Sequence, residues 1–474
     1  MSSQGTYRTE VHSSVYRVDG EIGRFTFPVH DVVEQLDEGK SKIHFSTLEL
    51  FPARHAKELY RTRGFNELAL AHGVVNESYR KILWRFNRTR HQDEKEGTRL
   101  RTLQDNLERE GNAVFDQLEQ ETTTILRNHG FSIEGVPSEK NRTVKAIGDK
   151  EAMNVKDETI AEALEEVVTN MKRREMSTRD IAAVEAIGNG TTFEAPAATV
   201  AIHLDSVLTK QQKENRPASE KTDSPTEGPE PELSPDSPTE PLSVPSPKEG
   251  NKRPTITTHI ARIEHQNKGV TLCARNTVDL VRFVLAFLLS NKLGKFHWVF
   301  YTDGQRSLQD RVLNFFRWHP RVVLILDWFH LVKKFKEGLS LACKSRETRN
   351  EHLRILLRLL WYGLHEKAIR YLETIPAEDV KNEESRQRLI GYLHRNKETI
   401  PCYALRGKLN LGNSSSPGER SINIVTSHRQ KKNGMSWCTA GSQALTALSV
   451  VVSNGMTTAW ISRNLKSLTW GQAA

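Results

Sequence analysis

The chain has 474 residues, a net charge of +9 and a hydrophobic content of 37%. That length is too great for one hydrophobic core, so roughly two to four folded units are expected, with at least one polar segment outside them. The basic surplus favours a polyanionic partner, nucleic acid being the commonest. The most apolar run, LVRFVLAFLL at Leu280–Leu289, is half a membrane span and carries Arg282, which excludes a spanning helix there and predicts a buried one.

The four cysteines, Cys273, Cys343, Cys402 and Cys438, form no CxxC pair and none lies near a histidine at zinc-site spacing, which fits a reducing compartment. The first twenty residues contain no apolar run, so no secretory leader is expected and a cytoplasmic location is.

Residues 1–50 show short apolar runs without a clear period and read as an N-terminal extension. Residues 51–194 read as mainly helical. Within them FNELALAHGVVNESYRKILWRFNRTRHQ (Phe65–Gln92) has the outline of a helix-turn-helix. Ala69 is small, Gly73 is expected to supply the turn, and Asn76 can cap a second helix with Tyr79, Ile82 and Leu83 on its buried side. That helix carries Arg80, Lys81, Arg85, Arg88 and Arg90, which suits a major groove and its phosphates. An ordinary helical hairpin with a solvated basic face has the same pattern. Residues 95–130 and 157–186 are also predicted helical. Ser177 can cap the last of these helices and Gly188 can end it, a second small helix-turn-helix candidate.

The texture changes at residue 195. TVAIHLDSV predicts a strand with Asp205 at or near its end. Pro217–Gly250 then holds nine of the eighteen prolines, with eight acidic residues against two basic. No core can be built from that composition, so it is expected to be a disordered acidic insert. Setting aside its net −6 leaves +15 on the remainder. Beyond it, TITTHIARIE and GVTLCA read as strands. TVDLVRFVLAFLLSNKL reads as a helix capped by Asn276 or Thr277. FHWVFYTDG is a strand ending at Asp303, QRSLQDRVLNFFRWH a helix, and RVVLILDWFH a strand ending at Asp327. Residues 328–400 read as helical, with Trp361 and Tyr362 as anchors, and GSQALTALSVVVSN as a buried helix.

In order, these elements are strand, strand, strand, helix, strand, helix, strand. That is the sequence of an RNase H-like mixed sheet, whose chemistry sits on carboxylates at strand ends. Asp205, Asp303 and Glu419 occupy those places. Three clustered carboxylates repel one another unless metal or basic groups offset them. Two Mg²⁺ ions held by such oxygens serve the attacking and leaving oxygens of phosphodiester cleavage. Each acid also has an ordinary structural reading: Asp303–Gly304 as a turn, Asp327 as a helix cap, Glu419 as a first-turn carboxylate, Asp205 as a surface residue. On the Glu419 helix, Asn423 falls one turn along the same face, with Ile422 and Val425 toward the core.

The stretches HLDSVLTKQQKENR, VFYTDG, LILDWFHLVKK, YLHRNKETIPCYALRGKLNLGNSSSPGERSIN and RQKKNGMSW together resemble bacterial insertion-sequence transposases of the DDE class, on the Mutator-like side of that group. The resemblance covers Phe51–Arg101 weakly and Ala195–Trp470 strongly, apart from the Pro-rich insert. It implies an α/β chain with an RNase H-like catalytic domain (195–216 and 251–474), an all-helical insertion (328–400), and mainly helical N-terminal DNA-binding segments. It implies Mg²⁺ (or Mn²⁺)-dependent cutting and joining at transposon ends, with Asp205, Asp303 and Glu419 as metal ligands. Asp327 and His330 match an Asp-x-x-His element, His330 joining the catalytic set and Asp327 and Asn423 supporting it, while the ordinary reading of His330 is a helix-start histidine packing on Trp328. An alternative takes Asp327 in place of Asp303 as second ligand.

Lys333 and Lys334, beside Asp327, and Arg429, Lys431 and Lys432, after Glu419, are candidate phosphate contacts along with Arg80, Lys81, Arg85 and Arg88. The expected partners are transposon-end and target DNA and further copies of the chain, with no membrane, in a nucleoid-associated setting. The rival readings are a non-catalytic, degenerate copy that only occupies terminal repeats, and another RNase H-like nuclease. The sequence departs from the family pattern at Gly418 and Arg420, which predicts a loosened helix start beside Glu419.

Overall fold

The computed structural model describes residues 6–35, 41–46, 59–75, 77–92, 97–139, 141, 144, 153–212, 254–431, 436–463, 465 and 467–470. The Pro-rich segment, Asn76 and Lys432 lie outside them.

Residues read as an unpatterned extension form a sheet. Strands β1 (Thr6–Gly20), β2 (Gly23–Gln35), β3 (Ser41–Ser46) and β4 (Leu59–Arg61) lie in the order β3-β2-β1-β4. β1 and β2 are a hairpin closed by Gly20 and Gly23, and Tyr16, Val18, Val29 and Val33 are buried on it. The alternation is short and broken by buried Asp19 and Asp31, so its period is weak in the sequence.

Helices α1 (Arg63–Gly73) and α2 (Tyr79–Thr89) follow, capped by Thr62 and by Ser78, which takes the place expected of Asn76. Gly73 is the last residue of α1 rather than a turn residue. A β-carbon there would lie 2.6 Å from Leu107, so it is small to admit α3 (Leu100–Asn128). α3 packs along α14 (Thr439–Ser453), with Gly111 against the Ala444 backbone. The pair α4 (Asp157–Arg173) and α5 (Thr178–Gly190) joins the core of the later helices. Lys367 reaches Asp180, and Lys408 reaches Glu166, so this pair shares its core with the later helices.

The second sheet has five strands, β5 (Thr199–Lys210), β6 (Thr255–His265), β7 (Lys268–Ala274), β8 (His297–Thr302) and β9 (Val322–Leu326), in the order β7-β6-β5-β8-β9. β5–β6 and β6–β7 are antiparallel, while β5–β8 and β8–β9 are parallel. The chain is thus mixed α/β around a mixed sheet. The parallel strands are connected through α6 (Thr277–Ser290), capped by Asn276, and α7 (Arg306–Phe316). As expected, Leu280–Leu289 is buried throughout. Arg282 survives there by bonding Glu119 at 2.7 Å, because a buried charge must be paired.

The sheet separates two cores. Val200, Ile202, Leu204, Trp298 and Phe300 pack with α6, α14 and α3. Val299, Tyr301, Ile325 and Leu326 pack with α8 (Trp328–Ala342), α9 (Arg346–Trp361), α10 (His365–Glu373), α11 (Glu383–Asn396) and α12 (Tyr403–Lys408). The alternation along each strand is what a sheet covered on both faces requires. Within this helical block Trp361 stacks on Tyr403, and Trp328 meets Trp361 edge to face. The chain then passes to α13 (Ser416–Ile422), which widens to a π-helical stretch at Asn423–Ser427 and ends at Gln430, and later to α15 (Thr457–Ile461). Among the described residues no helix is long and apolar enough to cross a membrane.

Candidate active site

Asp205 lies in the middle of β5, not at its end. It shares a face with His203, since alternate strand residues point the same way. Its Oδ1 accepts the Ser206 backbone N–H at 2.6 Å. Burial, with the charges of Asp303 and Glu419, raises its pKa from the ordinary carboxylate value, against the opposing Ser206 N–H bond and His330. Asp303 follows the last residue of β8, two positions beyond the paired His203 and Tyr301 of the adjoining strands. Gly304 turns the chain there with φ +84°, and the Asp303 Oδ1 accepts Gln305 N–H at 2.9 Å. Glu419 stands in the first turn of α13, its Oε1 3.5 Å from His330 Nε2. Burial and Asp327 raise its pKa, opposed by His330 and Lys333.

Asp327 braces this end of the sheet. It is fully buried. Its Oδ1 caps α8 by accepting His330 N–H at 2.7 Å and also contacts His330 Nδ1 at 3.2 Å. Its Oδ2 accepts the Ser415 N–H at the start of α13. Burial opposes its ionisation, but these bonds outweigh burial and hold its pKa below the usual value. Both oxygens are engaged, so of the two aspartates weighed as second ligand it is Asp303 that lines the cleft. His330 is held by Asp327, which raises its pKa, with Asp205 and Glu419 adding to the rise and burial opposing it. One side chain therefore connects α8, α13 and the strand acids.

Gly418 does not loosen the helix start. A β-carbon there would lie 2.6 Å from the His203 Cβ, so the glycine lets α13 rest on β5 with Glu419 next to Asp205. His203 is buried and stacked on Tyr301 at 4.7 Å. Ile422 and Val425 face the core as expected, while Asn423 is exposed one turn beyond Glu419.

A cleft of about 450 Å³ opens from Asp303 and His330 between α8 and α11. Lys333 and Lys334 line it, as do Arg306, Tyr392 and Arg395, three residues to which the sequence gave no role, although Tyr392 and Arg395 open one of the resemblance stretches. Tyr392 and Arg395 are three apart on α11, so they share a helix face, but nothing local tells which element that face meets. Of the other cations, Arg80, Lys81, Arg88 and Lys431 are exposed. Lys81 and Arg85 are partly engaged by Glu77. Arg429 is a correction: it is 1% exposed and lies over the rings of Tyr79 and Trp437. Its guanidinium ties α2 to the helix after Glu419 and does not face a ligand. Arg90 is likewise buried, with bonds to Gly20, Thr98 and Asp19.

Among the described residues no three His, Cys, Asp or Glu side chains come close enough to enclose one ion. The donors near Asp205 are carboxylate oxygens, the type that Mg²⁺ takes one or two at a time while retaining waters and substrate oxygens. The donor set suits that ion in an open site, not a closed protein cage. Comparison of the chain with protein-family models and with curated proteins gives no match.

Proposed function

We propose that the protein is a DDE-type DNA transposase, which cuts at transposon ends and transfers the ends to target DNA. The observation that carries this reading is that Asp303, after β8, and Glu419, on α13, both act by their charge on Asp205 of β5. The strand order β7-β6-β5-β8-β9 and its mixture of parallel and antiparallel pairs support an RNase H-like domain. The helical block α8–α11 suits the helical insertion that the resemblance implies.

In this reading Asp205, Asp303 and Glu419, which do not enclose an ion by themselves, would share Mg²⁺ or Mn²⁺ with substrate and water oxygens, and the ion would supply activation of the attacking oxygen and stabilisation of the leaving one. The chain's own groups prepare the site. Asp327 fixes His330, and His330 restrains Glu419. Lys333 and Lys334 draw phosphate toward the acids. The exposed Arg80, Lys81 and Arg88 of α2 suit backbone contacts at the element's end. Joining two ends calls for more than one copy of the chain, working where DNA is, in a nucleoid-associated cytoplasmic setting.

The test is nicking of end-containing duplex DNA with Mg²⁺. Wild-type protein should release 3′ ends, and Glu419→Gln should bind equally well but not cut. Normal cutting by that variant overturns the carboxylate assignment. Wild-type binding without cutting assigns the chain to a non-catalytic occupant of terminal repeats.

A further inference from the structure

The cleft beside Asp303 has more polar equipment than the three acids need. Arg306, Lys333, Lys334 and Arg395 stand along it against one further acid, Glu337. Tyr392 stands in its wall, and the Tyr392 hydroxyl is buried with no hydrogen-bond partner. Tyr392 is 6% exposed, and a hydroxyl so placed ordinarily finds a partner. The Lys334 Nζ sits 5.7 Å over the same ring. Cation and hydroxyl therefore converge from α8 and α11 on one region. Gly304 permits this approach, since a β-carbon there would lie 2.7 Å from Tyr392 Oη. The hydroxyl can donate, and the flanking ammonium and guanidinium groups favour an acceptor that carries negative charge. The cations are spread along the cleft, which matches a chain of anions better than one small ion.

We propose that the cleft between α8 and α11 is a phosphate channel for the nucleic-acid strand next to the bond being cut, with Tyr392 Oη donating to a phosphate oxygen and Lys334 and Arg395 neutralising it. The channel rests on the phosphodiester reading of the neighbouring acids but is tested separately from it. Tyr392 and Arg395 act by binding the strand.

The experiment measures binding of a labelled oligothymidine strand to the full-length protein over a series of KCl concentrations. Arg395→Ala should reduce the slope of log K against log salt by about 0.7, the loss of one phosphate contact on a single strand. Tyr392→Phe should weaken binding severalfold and leave the slope unchanged, because no charge is lost. Arg388→Ala, exposed on the same helix and paired with Glu384, should change neither. Inorganic phosphate at matched ionic strength should not displace the strand. Displacement by phosphate, or wild-type binding by both Arg395→Ala and Tyr392→Phe at unchanged melting temperature, overturns the channel. If those variants bind normally while the wild type nicks DNA, the channel is wrong and the transposase reading stands. If the wild type fails to nick but the Arg395→Ala slope falls, the channel stands and the enzymatic reading fails.

Discussion

Gly418 rests against His203 so closely that a β-carbon on the glycine would lie 2.6 Å from the His203 Cβ. This contact seats α13 on β5 and so sets the approach of Glu419 to Asp205. Gly418→Ala is expected to destabilise the chain by about 1–3 kcal/mol through overpacking, visible as a lower melting temperature. Adding His203→Gly should recover part of that loss. An alanine variant as stable as the wild type would show that the two elements have slack.

Asp327 holds two helix starts with one carboxylate. Asn in its place accepts at one oxygen only and turns an amide N–H₂ toward a second donor. Asp327→Asn should lower unfolding stability by about 2–4 kcal/mol, since a buried donor is left without an acceptor. Urea denaturation measures this. Nicking should fall as well, through displacement of His330 and Glu419, and unchanged stability would refute the double cap.

His319 gives a pH dependence with a definite sign. It is buried against Trp298 at 3.8 Å, its Nδ1 accepts from Arg321 N–H, and its Nε2 donates to Gly294 O. Burial pushes its pKa down from 6.5 to about 4. The unfolded chain therefore takes up a proton that the folded chain refuses across that window. Stability falls as pH drops from 6.5 to about 4, by about 3 kcal/mol from this group alone. His319→Phe should have a shallower slope there by chemical denaturation at a series of pH values. An identical slope would mean that the ring is accessible to protons.

Arg88 and Arg90 look alike in the sequence and should behave oppositely. Arg90→Ala leaves Asp19, itself buried, without one of its two arginines and is expected to cost about 3–5 kcal/mol. Arg88 is exposed over the Trp84 ring, so Arg88→Ala should change stability by no more than about 0.5 kcal/mol and, on the proposed function, should weaken DNA binding. Thermal melts and a salt-dependent binding assay separate the two.

The strands and helices from residue 195 onward were legible because their signals are local. Apolar runs such as VVLIL and the largely apolar Leu280–Leu289 become elements chiefly through burial. The N-terminal sheet was not legible. Its strands depend on pairing across chain and on burying Asp19 with Arg24 and Arg90, which no window of neighbours reveals. Arg429 misled for a related reason: a basic residue in a basic stretch reads as solvated until Tyr79, far away in sequence, is seen to cover it.

By itself the sequence determined the order of the elements from residue 195 onward, because that follows from residue type and local period, and it offered three carboxylates as candidates. Only the tertiary structure decided that Asp327 is a brace and Asp303 the cleft-facing acid, that Gly418 is a contact, and that Tyr392 and Arg395 join the cleft. Those roles depend on which side chains meet across elements. Such meetings arise from the packing of two cores about one sheet, not from the spacing of residues along the chain.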